Sequence, residues 1–303
     1  MRPTRPAAIW LQARHRLGLA CLFCCAWLAS NPAHSATVID DEGNTVTLAT
    51  PARRIVSLAP HVTELLYAAG AGAAVVGVSQ YSDYPPAARK VASVGGASAL
   101  DLEQIITLKP DLVVAWHSGS SAAQIAKLRT LAIPVFESEP RDFATVASSL
   151  ERLAQLAGTE TAGNAAAAAF RARLARLDAA YRSRPPVRVF YQVWRKPLMT
   201  LNDAHLVSAA LRLCGGRNVF GALPQLAPTV SREAVLAQDP EVIFSAGGAA
   251  DELADWRRFP QLSAVAHDNL FRLDADLLSR AGPRIVDGTE QICRQLELVR
   301  SRR

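Results

Sequence analysis

Short β-branched runs and helical segments alternate along most of this chain, and that alternation admits few folds. Residues 55–58 read as a strand, 63–69 as an apolar helix ended by Gly70, and 74–78 as a second strand. The series continues with a helix at 101–108, a strand at 112–116, a helix at 122–131 and a strand at 133–136. Strand–helix–strand units need a crossover between neighbours, so they build parallel sheets with helices on their faces. Residues 37–48 add a short hairpin, Val38 and Ile39 answering Val46 and Leu48 across a turn at 41–44.

One stretch breaks the rhythm. Between Thr159 and Ser183 there is no proline, one glycine and a long alanine-rich run. Ala166, Phe170, Leu174, Leu177 and Tyr181 recur at helical spacing, with Arg171, Arg173, Arg176 and Asp178 off that stripe. The spacing predicts one long helix, stopped by Pro185-Pro186, which acts as a semi-rigid connector. Alternation then resumes with strands at 188–193, 242–244 and 270–273 and helices at 205–214 and 231–236. Residues 100–116 align without a gap to 230–246, each reading as a polar cap (Asp101, Ser231), an acid in the first turn (Glu103, Glu233), Pro plus an acid, and a buried strand. The expected fold is therefore α/β with two lobes, each a small, mostly parallel sheet flanked by helices, joined by one linker helix. The boundaries expected are 36–157, 158–184 and 185–303.

The N-terminus is a separate matter. Arg2, Arg5, Arg14 and Arg16 precede the 12-residue apolar run 17–28, and small residues Ala33 and Ser35 sit before Ala36. This pattern reads as a secretory signal peptide over 1–35, so the mature protein is expected to be exported. It also accounts for most of the formal charge of +6: without it Lys+Arg falls from 33 to 29 against 27 acids, leaving +2. That balance gives no footing for a nucleic-acid partner. Three of five cysteines leave with the leader; Cys214 and Cys293 remain as either a disulfide favoured by an oxidising compartment or two buried thiols.

Chemistry-bearing motifs are absent. There is no G-x-S-x-G elbow, P-loop, G-x-G-x-x-G after a strand or H-E-x-x-H, and the carboxylates are scattered. His61, His117, His205 and His267 show no metal-ligand spacing, and His205 and His267 read as structural or surface residues. An exported two-lobed chain without a catalytic constellation or a metal site points to a binding protein, not an enzyme.

The segments RIVSLAPHVTELLYAAGA (54–71) and VVGVSQYSDYPPAA (75–88) resemble the periplasmic substrate-binding proteins of iron-siderophore, haem and cobalamin ABC importers. Within that class the chain is most similar to the cobalamin binders, through SQYSDYPP (79–86), LKPDLVVAW (108–116), LRLCGGRNVF (211–220), VSREAVL (230–236) and DLLSRAGPRI (276–285). The resemblance implies two rigid lobes on a helical spine, a Cys214–Cys293 disulfide, and a monomer that hands cobalamin or a related corrinoid to a permease with ATPase subunits, without a cofactor of its own. It implies ligand contacts at Tyr81, Trp116, Asp276 and Arg280, and permease docking through Glu103 and Glu233. Two family tryptophans are missing: this chain has Ser93-Val94-Gly95-Gly96 and Ala227-Pro228-Thr229-Val230 at those segments. Trp194, near a family aromatic position, is the expected replacement. A haem or ferric siderophore is the alternative ligand, and for haem Tyr81 with His61 or His117 would ligate the iron.

Overall fold

The computed structural model describes residues 35–96, 99–247 and 252–303; the segment expected to be a signal peptide, 1–35, lies outside them except for Ser35. The first half opens with the expected hairpin, β1 (Ala36–Ile39) and β2 (Thr45–Leu48), then β3 (Ile55–Ser57), α1 (Pro60–Ala68) and β4 (Val75–Val78). Short strands β5 (Ala92–Ser93), β6 (Gly95–Gly96) and β7 (Ala99–Leu100) lead into α2 (Leu102–Thr107), β8 (Leu112–Trp116), α3 (Ala122–Thr130) and β9 (Val135–Ser138). Helix α4 (Phe143–Ala157) and the long α5 (Glu160–Tyr181) come next. The second half contains β10 (Val187–Gln192), α6 (Leu206–Leu213), β11 (Gly216–Asn218), α7 (Arg232–Gln238) and β12 (Val242–Ser245). It ends with α8 (Ser263–Ala266), β13 (Leu270–Arg272), α9 (Ala275–Leu278) and α10 (Ile285–Ser301).

The sheets run β5-β4-β3-β8-β9 and β11-β10-β12-β13, and every neighbouring pair in both is parallel. Central strands covered by helices on both faces lose the polar alternation of a half-solvated sheet, which is why β3 and β12 are buried throughout. The two aligned segments of sequence occupy matching places: α2 and β8 in one sheet, α7 and β12 in the other, each strand beside the first strand of its lobe's sheet core (β3 or β10). Both helices start on a capping side chain, Asp101 Oδ1 accepting from the Gln104 N–H at 2.9 Å and Ser231 Oγ from that of Ala234 at 3.1 Å. The expected two-lobed α/β architecture is the one observed.

Helix α5 joins the lobes over 22 residues, about 33 Å at 1.5 Å per residue. Its fully buried face is shorter than the predicted stripe: Gly163, Ala167 and Phe170 are buried, while Ala166, Leu174, Leu177 and Tyr181 are half-buried against the core. Gly163 permits close contact with α4, since a Cβ there would meet that of Ala154 at 2.2 Å. On the polar side, Arg173 reaches Asp287 and Glu290 of α10, both at 2.7 Å, tying the connector to the second lobe. Helices α4 and α10 occupy segments where the sequence pattern was assigned no element.

Cys214, at the C-terminal cap of α6, is bonded to Cys293 in α10, and both are fully buried. The bridge spans 79 residues of sequence, so it withholds considerable freedom from the unfolded chain. Replacing both cysteines with alanine should lower unfolding free energy by about 2–4 kcal/mol in a denaturant titration, and neither thiol of the native, unreduced protein should react with maleimide.

Candidate ligand-binding cleft

A cavity of about 670 Å³ lies between the lobes, walled by loops and helix starts at the C-terminal ends of the strands. Parallel strands all present those ends on one side, so the loops there converge, and such edges are where α/β sheets receive ligands. The first lobe contributes Tyr81 from the loop after β4, Trp116 from the last position of β8, and Glu139 and Arg141 from the segment after β9. Pro60 and His61, at the start of α1, complete that wall. The second lobe contributes His205 and Leu206 at the start of α6, Leu226, Asp276, and residues 278–281. Tyr81, Trp116, Asp276 and Arg280, singled out from the sequence, thus line one cavity.

The aromatic pair is held for contact. Trp116 is the exposed terminal residue of an otherwise buried strand. Its ring meets His61 edge-on, 5.6 Å between centroids at 85°, and lies across Gly119, where a Cβ would come within 1.9 Å of a ring carbon. Tyr81 is 81% exposed and has φ 64°, a left-handed conformation that costs a non-glycine residue free energy and needs support from its surroundings. The support is a buried run of hydroxyls: Ser57 to Thr63 at 2.7 Å, Thr63 to Ser82 at 3.0 Å, and Ser82 to Ser79 at 3.2 Å. It fixes the loop to β3 and α1, directing an aromatic ring into open space.

Across the cleft, Arg280 is held by carboxylates from both lobes. Its Nη1 donates to Glu64 Oε1 at 3.0 Å and Asp83 Oδ1 at 2.8 Å, and Nη2 donates to Asp276 Oδ1 at 3.2 Å. Arg284 adds a second guanidinium on Glu64, Nε to Oε2 at 2.9 Å and Nη2 to Oε1 at 2.6 Å, and stacks 3.8 Å over the Tyr84 ring. Glu64 is buried, and this fork-to-fork geometry compensates a carboxylate withdrawn from water. Burial alone would raise the Asp83 pKa, but the hydrogen bond and charge of Arg280 outweigh it and hold the group below its usual value. The Asp83-Tyr84 pair therefore serves lobe contact, while Tyr81 in the same motif faces the cavity.

Four observations go beyond the expectations from sequence or alter them. Trp194 is not among the residues lining the cavity: it stands 56% exposed in a turn after β10, its Nε1–H donating to the Lys196 carbonyl at 3.0 Å. Leu226 instead supplies exposed apolar surface beside 227–230, where a family tryptophan is missing. His117 cannot serve as an iron ligand as it stands, because Nδ1 meets Glu137 at 3.1 Å and Nε2 meets Glu42 at 3.4 Å. His205, read as structural or surface, does cap α6, Nδ1 accepting from the Val207 N–H at 3.1 Å, yet it also lines the cavity. Its signal was a polar residue directly before an apolar helix, which marks a cap without revealing which way the cap faces. Glu103 and Glu233 are exposed in the first turns of α2 and α7, away from the cavity.

Residues 55–277 match the family model described as periplasmic binding protein. The chain belongs to that family. Such members are substrate-binding proteins, not enzymes. The chain is 42% identical over 249 residues to the vitamin B12-binding protein of Vibrio cholerae serotype O1, covering 82% of this chain and 90% of the relative. It is 40% identical over 244 residues to the vitamin B12-binding protein of Photorhabdus laumondii, covering 80% and 87%. Among solved structures it resembles the periplasmic vitamin B12 binding protein BtuF of Vibrio cholerae, with a TM-score of 0.77 at 41% identity over 82% of this chain and 98% of that one. The haem-binding protein BhuT, solved with two haems, shares the fold at a TM-score of 0.72 and 23% identity, covering 81% of this chain and 98% of that one.

Burial lowers the pKa of both cavity histidines, His61 and His205, to about 4. In the unfolded chain each titrates near about 6.5, so between those values the unfolded state binds more protons and stability rises with pH. Stability should accordingly be complete above about pH 6.5 and fall as the pH drops toward 4. Denaturant titrations at stepped pH should show a shallower fall for the His61→Phe/His205→Ser variant.

Proposed function

We propose that this chain captures cobalamin, or a related corrinoid, in the cleft between its lobes and delivers it to an ABC permease of the inner membrane. The observation that carries the reading is the pairing of Tyr81 and Trp116 on one wall with Asp276 and Arg280 on the other. A corrin ring presents broad apolar faces and a rim of amides, so its site needs aromatic area and a few oriented polar groups. The identity to vitamin B12-binding relatives across both lobes supports the same ligand class. In this reading 1–35 is the export leader, 36–157 and 185–303 are the lobes, and 158–184 connects them.

Delivery rests on Glu103 and Glu233. They occupy equivalent first turns, one per lobe, where helix N-termini favour negative charge. The Glu233 carboxylate is held below its usual pKa by a backbone N–H and then by the Ser231 hydroxyl, so it stays charged. One anion on each lobe suits a two-fold permease bearing cations, with the charges setting encounter and register.

Calorimetric titration with cyanocobalamin tests the ligand. Tyr81→Ala and Trp116→Ala should each weaken binding by about 1–3 kcal/mol, whereas Trp194→Ala should bind like the parent. Parent-like affinity in both of the first two variants would remove the site assignment. The Glu103→Arg/Glu233→Arg variant should fold and bind cyanocobalamin as the parent does, yet fail to support uptake through its own permease in cells. Normal uptake would reduce both glutamates to helix-start residues.

A further inference from the structure

Asp83 is bonded to both walls of the cleft without lining it. Its N–H donates to the Tyr81 carbonyl at 3.0 Å, closing the turn that carries the Tyr81 ring, and its own carbonyl accepts from Arg89 Nε at 3.0 Å. Its carboxylate meets the other lobe, where Oδ1 accepts from Arg280 Nη1 at 2.8 Å. Tyr81 and Arg280, one on each wall, are thus joined through a single residue.

The surroundings leave this link little slack. Ser82, between Tyr81 and Asp83, is held by Thr63 of α1 at 3.0 Å, and the next residue of that helix, Glu64, accepts from Arg280 at 3.0 Å. Arginine has five N–H donors in one plane. Glu64 and Asp83 engage Nη1 and Asp276 engages Nη2, so the Nε–H and the second Nη2–H meet no partner among the described residues. Three carboxylates around one planar group fix its rotation, and with it the direction of those two remaining donors. Burial pushes the Asp83 pKa up, yet the hydrogen bond and charge of Arg280 bring it below the usual value, so the bond joins full charges.

Stability alone gives this pair little to do. Arg284 already satisfies Glu64 through two bonds, and the Asp83 side chain is 46% exposed, where an ion pair adds little to folding. We propose that Asp83 is a positioning residue for ligand binding, setting the Tyr81 ring and the Arg280 guanidinium at one spacing and orientation across the cleft. Aromatic and polar contacts then meet the bound macrocycle together, and neither has to be ordered as it enters. The proposal rests on the corrinoid reading above and goes beyond it in giving a role to a residue that lines no part of the cavity.

Cyanocobalamin titrations of single and paired variants test it. Asp83→Ala should melt near the wild type, since Glu64 and Arg284 still join the lobes, yet bind cyanocobalamin about 5- to 30-fold more weakly. In an Arg280→Met background, where nothing remains to be positioned across the cleft, the same substitution should weaken binding by less than about twofold. Its effect should also shrink in a Tyr81→Ala background. A residue that merely supported the loop would weaken binding equally in all three. Asp83→Asn, with the same shape and no charge, is the second variant should alanine fold poorly, and should give the same pattern with a smaller loss. Wild-type affinity in Asp83→Ala, or an equal loss in every background, overturns the proposal while leaving the corrinoid reading intact. A wild-type protein that does not bind cyanocobalamin overturns both.

Discussion

One buried carboxylate holds this molecule's geometry together. Glu64 projects from α1 of the first lobe and receives Arg280 and Arg284 from the segment between α9 and α10 of the second. Neither lobe can satisfy this group alone: apart from the other it is a charge stranded away from water, and together it accepts three charge-assisted hydrogen bonds. The same contact fixes Arg280 at the cleft, where Asp83 and Asp276 complete its surroundings. Lobe register and site geometry thus depend on one set of atoms, and a change at Glu64 would be felt in both.

The rest of the site is a product of parallel strands. Because all strands of a sheet end on the same side, residues distant in sequence, such as Tyr81, Trp116 and Glu139, arrive at one rim. The repeated helix–strand unit gives the second lobe a cap and a first-turn glutamate equivalent to those of the first. Strand order does the coarse positioning. Local devices then refine it: the hydroxyl run beneath Ser82, the bare Gly119 under Trp116, and the imidazole cap at His205.

Much of this was legible in the sequence, and the limits have physical causes. Alternation and the long proline-free helix defined the two lobes because periodicity reports directly on which faces are buried. The apolar positions Val146, Leu150, Leu153 and Ala157 of α4 carry the same helical spacing, so that element was within reach of the pattern. Resemblance grouped Tyr81, Trp116, Asp276 and Arg280, which no local spacing could unite across nearly two hundred residues and which line one cavity in the structure. Contact partners were not readable: the glutamate that orders two arginines lies more than two hundred residues before them, in a helix whose pattern suggests only core. Trp194 was favoured as an aromatic near a familiar position, but the turn after β10 directs it to another neighbour, the Lys196 carbonyl.

The long α5 connector has a mechanical consequence. Bending a helix sharply requires a proline, a bulge or a broken backbone hydrogen bond, and none of its 22 residues is proline. Packed against α4 through Gly163 and tied to α10 through Arg173, it behaves as the stiff back of a pair of callipers whose jaws are nearly set before anything enters them. A preset gap asks little ordering of the protein on binding, so affinity is governed by the quality of the jaw surfaces and by how slowly the guest escapes. Stiffness also carries force well: a push applied to one jaw is transmitted to the other and not absorbed along the back. Expelling a tightly held guest from such a frame calls for a grip on both jaws at once.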